Sequence, residues 1–357
     1  MKLGIIGLPN SGKTTIFNAL TGLNRPTGAS SGKIEVVTAV VSVPDERIDK
    51  LSAMYNPKKT IYATITYTDI GGLEKGISAS GISGELRNHL QQVDGYIHVI
   101  RTFADDTVPH PEGEVNPLRD LETVDSEFLL SDLVIVERRL EKMAEERKRS
   151  KIVNVVLFER EIDLLNRFKV QLDALQPLRN STVTEEEMKI IRGYGLLSLK
   201  PVLVVFNAGD ALYDFSAIHY PHEGSRLASL QGKIEAEIAQ LSGDDQMMFL
   251  AEYGIDEPGA RKVIRESYEL MHIQAFFTVG PDEVRAWTIP IGSTAQEAAG
   301  TIHSDLARGF IRAEVTPHQE LLALGSEAEV KKQGKMRLEG KEYIVKDGDI
   351  MHIRANV

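Results

Sequence analysis

The chain has 357 residues, of which 42% are hydrophobic and 26% are charged, a balance typical of soluble globular proteins and unlike that of disordered ones. This length exceeds what one hydrophobic core supports, so we expect two or three domains. The chain contains no cysteine, which excludes disulfides and cysteine nucleophiles, and its formal charge of -11 argues against an overall basic nucleic-acid binder.

The amino-terminal segment gives no sign of targeting. Its sequence, MKLGIIGLPN, has one lysine and a brief apolar run before glycine and proline. Such a run is too short for a signal peptide or a membrane span. The lack of cysteine also fits a reducing compartment. We therefore expect a cytoplasmic protein without membrane association.

The first predicted elements are a strand, a loop and a helix. An apolar run over residues 2–6 ends at Gly7, and residues 15–20 have helical character. Further apolar runs, separated by helix-like stretches, occupy residues 61–67, 96–100 and 202–206. Runs of this kind are typical of buried parallel strands, so an α/β sheet is predicted.

The loop after the first strand matches the P-loop pattern G-x-x-x-x-G-K-[ST]. It reads Gly7-Leu8-Pro9-Asn10-Ser11-Gly12-Lys13-Thr14. Its glycines let backbone N–H groups point at phosphates, at the positive end of the following helix. Lys13 is predicted to neutralise the β- and γ-phosphates and Thr14 to ligate Mg²⁺. The predicted phosphate-binding residues are Asn10, Ser11, Gly12, Lys13, Thr14 and Thr15.

A second motif, Asp69-Ile70-Gly71-Gly72, follows the apolar run at 61–67. In P-loop switch proteins an aspartate at this place holds Mg²⁺, usually through water, and the N–H of a glycine three residues later contacts the γ-phosphate. We therefore predict Thr14 and Asp69 as the metal site. Lys13 and Gly72 are predicted to act on the γ-phosphate during hydrolysis.

Two apolar helical stripes follow. Their apolar residues are spaced by three and four positions, from Leu129 to Met143 and from Phe158 to Leu175. They predict two antiparallel helices inserted into the α/β domain. Residues 137–151 contain seven Lys or Arg and four Glu, a local charge of +3. This charge is consistent with a solvated helix face and also with a docking surface for an acidic partner.

A third motif, Asn207-Ala208-Gly209-Asp210, follows the strand at 202–206. The carboxylate of Asp210 is placed to accept hydrogen bonds from a base, and Asn207 to tie the base loop to the P-loop. The usual guanine-reading pattern is N-K-x-D. Ala208 stands at the lysine position of that pattern, so the aliphatic stem that packs over a base is missing here.

The last part of the chain, from about Gln274, predicts a small α+β module. Strands are expected over residues 284–291 and 311–315, with a helix capped by Ser293 that runs to about Ala307. A hairpin is predicted from residues 343–345 and 350–353 around Lys346-Asp347-Gly348-Asp349. The module is expected to be β-grasp-like.

With these motifs in place, the chain resembles the YchF-type, or Obg-like, ATPases from end to end. The matching segments are the P-loop, Val43-Pro44-Asp45 with Arg47, Asp69 to Gly72 with Lys75-Gly76, Val115-Asn116-Pro117-Leu118, Lys233-Ile234-Glu235-Ala236-Glu237, Glu283-Val284-Arg285-Ala286-Trp287-Thr288 and Gly348-Asp349-Ile350-Met351-His352. The resemblance implies a nucleotide hydrolase that associates with ribosomes or another translation component.

The resemblance also implies a domain plan. Residues 1–125 and 199–273 are expected to form a P-loop NTPase domain, residues 126–198 a helical insert and residues 274–357 a β-grasp module of the TGS type.

Three positions depart from the expected pattern. Lys33 precedes Ile34-Glu35 where the family carries a threonine, which puts the second Mg²⁺ contact of the first switch in question. Leu73 stands where switch GTPases have a water-positioning glutamine, a feature that the family shares. Asp210 replaces the family's usual glutamate.

The identity of the base stays open on these residues. A carboxylate pairs well with guanine, so Asp210 favours GTP. The short side chain of Ala208 and the resemblance favour ATP, read by backbone groups near Leu230, Gln231 and Gly232. We expect ATP, with GTP as the alternative.

The resulting prediction is a Mg²⁺-dependent nucleoside triphosphatase that works as a slow nucleotide-gated switch. A nucleotide-dependent scaffold with negligible hydrolysis is the alternative, motivated by Lys33 and Leu73. A metabolic kinase is disfavoured, because no segment resembles a lid carrying phosphate-binding arginines.

Overall fold

The computed structural model describes residues 1–27, 35–71, 82–149, 152, 154–253 and 255–356. Contacts within these residues divide the chain into two compact units. The first unit contains residues 1–39 and 66–263, and the second contains residues 40–65 and 264–357. Across these described ranges, no helix is both long and apolar enough to cross a membrane.

The strands of the described residues, in chain order, are β1 (Lys2–Ile6), β2 (Val36–Ser42), β3 (Lys59–Ile61), β4 (Thr64–Ile70), β5 (Gly95–Arg101), β6 (Val202–Asn207), β7 (Ser225–Leu230), β8 (Ile273–Thr278), β9 (Glu283–Pro290), β10 (Phe310–Pro317), β11 (Arg337–Glu339) and β12 (Asp349–Ala355).

The α-helices of the same residues are α1 (Lys13–Thr21), α2 (Glu46–Tyr55), α3 (Gly84–Gln91), α4 (Pro117–Lys148), α5 (Val155–Asp173), α6 (Glu185–Ile191), α7 (Gly232–Ile238), α8 (Gly243–Glu252), α9 (Gly259–Leu270), α10 (Ala295–Ile302), α11 (Ser304–Arg308), α12 (His318–Leu324) and α13 (Glu327–Lys332). Within the described ranges, 3₁₀ turns lie at Leu178–Asn180 and Arg192–Tyr194.

The sheet of the first unit has the order β2-β4-β1-β5-β6-β7 in the described residues. Strand β1 pairs in parallel with β4 and β5. Strand β6 pairs in parallel with β5 and with β7. Every residue of β5 and of β6 is buried, as a parallel strand covered on both faces requires. The predicted parallel α/β sheet is confirmed.

This topology brings the predicted motifs to one edge. Because β1, β4, β5, β6 and β7 run in the same direction, their carboxyl ends share one edge of the sheet, where ligands bind in open α/β folds. The P-loop follows β1, Asp69 lies near the end of β4, and Asn207 ends β6.

The long helix α4 contributes residues to two hydrophobic clusters. Asn116 accepts a hydrogen bond from the N–H of Arg119 and Pro117 occupies the first turn, so the helix begins there. Its early residues join the core beneath the sheet and its later residues pack on α5. The first group is Leu121, Val124 and Phe128, and the second is Leu129, Val136 and Met143.

Part of the basic character of the helical pair is neutralised by ion pairs. Arg139 contacts Glu161 at 2.7 Å, Arg149 contacts Glu145 at 3.2 Å, and Arg147 contacts Glu159. These contacts account for three of the seven basic residues between 137 and 151.

The second unit has a mixed sheet in its described residues, with the order β11-β10-β12-β8-β9-β3. Pairs β10–β11, β10–β12 and β8–β9 are antiparallel, whereas β12–β8 and β3–β9 are parallel. Its core combines Phe276 and Ile289 of the sheet with the alanines of α10.

The predicted hairpin at 343–353 is wrong. Among the described residues, Ile344 forms an isolated bridge with Thr294, and β12 pairs with β10 and β8. The turn residues form a loop in which Asp349 Oδ2 accepts from the N–H of Lys346. The predicted helix from Ser293 also differs, since Thr294 caps α10, which ends at Ile302 before the separate α11.

Candidate nucleotide-binding site

The loop between β1 and α1 has a backbone that requires glycine. Gly12, the N-cap of α1, has φ 90°, and Asn10 has φ 59°. A Cβ atom on Gly12 would lie 2.1 Å from Asn207 Nδ2, and one on Gly7 would lie 2.3 Å from the carbonyl oxygen of Val99. The loop therefore holds this shape only with glycine at both positions.

Lys13 begins α1 and is 7% exposed. Its Nζ donates hydrogen bonds to the carbonyls of Gly7 at 3.1 Å and Leu8 at 2.9 Å. The ammonium charge is thus held across the loop, beside the N–H groups at the start of the helix. A cation and the N–H groups of a helix's first turn together favour an anion such as phosphate.

The other predicted loop residues take different environments. Asn10 Nδ2 donates to the carbonyl of Pro109 at 2.9 Å. Ser11 Oγ is buried and has no hydrogen-bond partner among the described residues. Thr15 is half-buried in the first turn of α1.

The two residues predicted to hold the metal lie together. Thr14 Oγ1 donates to Asp69 Oδ2 at 2.9 Å, and Asp69 is 3% exposed. Its Oδ1 is buried and, within the described residues, has no hydrogen-bond partner. Burial raises the pKa of Asp69, and the Thr14 hydroxyl and the charges of Lys13 and Arg25 oppose this rise.

This donor set fits Mg²⁺. The ion prefers oxygen ligands and is commonly bound by one or two protein groups together with substrate phosphates. The hydroxyl of Thr14 and the buried carboxylate of Asp69, whose Oδ1 has no hydrogen-bond partner within the described residues, meet that requirement next to the phosphate loop.

Arg25 joins this cluster although no sequence pattern indicated it. Its Nη1 donates to Asp69 Oδ2 at 3.0 Å and its Nη2 to Glu35 Oε2 at 2.7 Å. The arginine lies in the loop after α1, which has no motif, so only the three-dimensional contact reveals it.

Asn207 connects the phosphate side to the base side. Its Nδ2 donates to the carbonyl of Ser11 at 2.9 Å, and its Oδ1 accepts from the N–H of Gly232 at 3.2 Å. The side chain is 3% exposed. One buried amide thus fixes the P-loop, the end of β6 and the start of α7, in the arrangement that the sequence predicts for it.

The end of β5 supplies further residues that the sequence patterns did not single out. Thr102 donates to the carbonyl of Asn207 through its N–H at 3.0 Å and its Oγ1 at 2.9 Å. Phe103 lies beside Gly209, and the guanidinium of Arg101 stands over its ring at 4.5 Å. Their position directly after a buried parallel strand was the available signal.

The predicted base-reading residues are less enclosed. Asp210 is exposed, whereas Ala208 is buried and its N–H donates to the carbonyl of Leu230 at 2.8 Å. Gln231 Nε2 donates to the carbonyl of Gly209 at 3.1 Å. The N–H of Gly232 donates to Asn207 Oδ1. One of the backbone groups proposed to read the base is therefore already used to hold the loop.

Lys33, Gly72 and Leu73 lie outside the described residues. The role of Gly72 at the γ-phosphate and the effect of Lys33 on the metal therefore stay predictions.

Two family models match separate parts of the chain. Residues 2–154 match a model described as 50S ribosome-binding GTPase. Residues 273–356 match the model YchF-GTPase_C, which is described as a protein of unknown function.

Relatives match nearly the whole chain. A protein of Bacillus subtilis named ribosome-binding ATPase YchF is 41% identical, with 99% of each chain covered. The protein of that name from Pasteurella multocida is 37% identical over 100% of this chain and 99% of its own. The solved structure of the Schizosaccharomyces pombe YchF GTPase is 30% identical with a TM-score of 0.84, covering 99% of this chain and 97% of the other.

Proposed function

The chain belongs to the YchF family, and on that premise we propose that it is a Mg²⁺-dependent nucleoside triphosphatase that acts on ribosomes as a slow nucleotide-gated switch. The observation that carries the proposal is the junction at the sheet edge. Lys13, the pair Thr14–Asp69 and the bridge made by Asn207 join a phosphate site, a metal site and a base loop.

The phosphate chain is proposed to bind along the loop between β1 and α1. Backbone N–H groups of residues 10–15 and the ammonium of Lys13 would receive the β- and γ-phosphates. The carbonyls that now accept from Lys13 lie on the same loop, so a small movement of its side chain exchanges them for phosphate oxygens.

Thr14 and Asp69 are proposed to hold the metal. Bound there, Mg²⁺ would neutralise charge on the β- and γ-phosphates as the bond between them breaks. The chain's own part is to orient the hydroxyl and the carboxylate, which their mutual hydrogen bond at 2.9 Å does. Lys13 and the backbone of Gly72 are proposed to stabilise the γ-phosphate during this step.

ATP is proposed as the preferred nucleotide, with GTP as the alternative. Three features support ATP: the buried methyl group of Ala208, the exposure of Asp210 and the name ATPase of the bacterial relatives. An exposed carboxylate gains little from pairing with guanine because water competes for the same donors. Groups near Leu230, Gln231 and Gly232 would then face the adenine.

Association with ribosomes is proposed from the relatives and from the matched ribosome-binding GTPase model. The helical pair α4–α5 and the second unit, proposed as a TGS-type module, are the candidate partner surfaces. We place the protein in the cytoplasm on the same basis.

Equilibrium binding of ATP and GTP, measured side by side with and without Mg²⁺, tests the site. Single-turnover hydrolysis with protein in excess then separates a slow triphosphatase from a scaffold. Product formed within minutes to hours supports the triphosphatase, and none over that time favours the scaffold. Co-sedimentation with purified ribosomes in the ATP-bound, ADP-bound and nucleotide-free states tests the gating, which requires that the bound fraction differ between states.

A further inference from the structure

Arg25 is fixed in place by a buried asparagine. Asn18 of α1 is 5% exposed, and its Nδ2 donates to the carbonyl of Arg25 at 2.9 Å. Its Oδ1 accepts from the N–H of Arg25 at 3.1 Å. Both backbone groups of Arg25 are therefore held by one side chain, which directs the arginine back toward the metal site.

The guanidinium bridges two carboxylates from different segments. Asp69 lies on β4 and its side chain is 4% exposed, whereas Glu35 directly precedes β2 and its side chain is 75% exposed. The distances are 3.0 Å to Asp69 and 2.7 Å to Glu35. Asp69 Oδ2 thus accepts from both Thr14 and Arg25.

We propose that Arg25 is a resident cation at the metal site, which Mg²⁺ must displace from Asp69. This inference rests on the proposed function, since it concerns the same metal site. A guanidinium stays charged at every accessible pH, so it cannot relieve the repulsion by losing a proton. Two cations that share one buried carboxylate repel each other strongly, because the surroundings screen little.

The same contact links the metal to the segment before β2. The carbonyl of Glu35 accepts from the N–H of Gly71, two residues beyond Asp69. Arg25 fastens the side chain of Glu35 to the same place. Displacing Arg25 from Asp69 therefore loosens an attachment between Glu35 and the end of β4. Mg²⁺ binding is thereby coupled, through Arg25, to the attachment of Glu35 at the end of β4.

The test measures the Mg²⁺ requirement of nucleotide binding without using hydrolysis. A fluorescent ATP derivative is bound to the full chain, and its signal is titrated with MgCl₂. Arg25→Gln removes the competing charge, and we expect the half-saturating Mg²⁺ concentration to fall at least threefold. Arg25→Lys keeps a charge but loses the forked geometry, and its value should lie between the two.

Arg138→Gln on α4 is the matched control, since Arg138 is exposed and distant in sequence from the site. It should leave the titration unchanged. An equal or higher Mg²⁺ requirement in Arg25→Gln overturns the inference. If that variant lacks a cooperative thermal transition, Arg25→Lys decides, and a value not below wild type overturns it. Absence of any nucleotide binding by the wild type would instead reject the proposed function.

Discussion

The phosphate end and the base end of the candidate site differ in how deeply their residues are buried and how firmly hydrogen bonds hold them. At the phosphate end, Lys13, Asp69 and Asn207 are all at most 7% exposed and each has hydrogen-bond partners. At the base end, Gly209 and Asp210 are exposed. The comparison teaches that the residues proposed to bind phosphate are built into the core, whereas the carboxylate proposed to read the base, that of Asp210, lies where solvent reaches it.

The difference has an energetic reason. A buried charge or amide is tolerated only when it is paired, so each phosphate-end residue is tied to several elements at once. Substitutions there should affect ATP and GTP alike. Substitutions at the base end should alter the choice between nucleotides and have small effects on overall affinity.

The largest effect is expected for Lys13→Ala. The loop would lose its buried cation against several phosphate charges, and charge-assisted hydrogen bonds contribute about 1.5–3 kcal/mol each. Affinity for ATP and for GTP should both fall by about 3 kcal/mol, roughly a hundredfold. Calorimetric titration of both nucleotides measures this.

Lys142→Ala is the control for that experiment, because Lys142 is an exposed lysine of α4. It should bind as the wild type does. An unchanged affinity in Lys13→Ala would remove Lys13 from the site.

A smaller effect, confined to the metal, is expected for Asp69→Asn. The amide keeps the size of the side chain but loses the charge that attracts Mg²⁺, so the half-saturating Mg²⁺ concentration should rise about tenfold. Nucleotide affinity measured in EDTA should change little. Asp163→Asn on α5 serves as the exposed control. A wild-type Mg²⁺ titration in Asp69→Asn would count against Asp69 as part of the metal site.

Asn207→Ala should weaken both nucleotides equally. It leaves the carbonyl of Ser11 and the N–H of Gly232 without their partner, so the loop loses its fixed position. The expected loss is about 1 kcal/mol, or fivefold, for ATP and GTP alike. Asn166→Ala, at an exposed position of α5, is the control. A change in the ratio of the two affinities would mean that Asn207 itself reads the base.

The sequence was informative where the chemistry demands a fixed spacing. The P-loop could be predicted because glycine, lysine and threonine must stand at set distances to surround a phosphate. The contact between Thr14 and Asp69 and the bridge by Asn207 followed from motifs at the ends of parallel strands.

Contacts that depend on folding alone could not be predicted. Arg25 reaches Asp69 because Asn18 holds its backbone, and no local pattern encodes that clamp. The hairpin at 343–353 was predicted from its turn residues, yet β12 pairs with β10 and β8, which precede it by many residues. Local turn propensity cannot show that a distant strand offers a better partner.

The smallest effect is expected for Asp210→Glu, which restores the family's usual residue. One added methylene moves the carboxylate out of the position where it can accept from both guanine donors, so GTP should lose part of a bidentate pair. Because Asp210 is exposed, water screens the interaction, and the loss should be at most about 1 kcal/mol, near fivefold in affinity. ATP affinity should change little, since its proposed contacts lie near Gln231. The quantity to measure is the ratio of ATP to GTP dissociation constants, with Asp214→Glu as an exposed control in the same segment. A rise in relative GTP affinity would contradict this reading of the carboxylate, and an unchanged ratio would assign Asp210 to the turn after β6 alone.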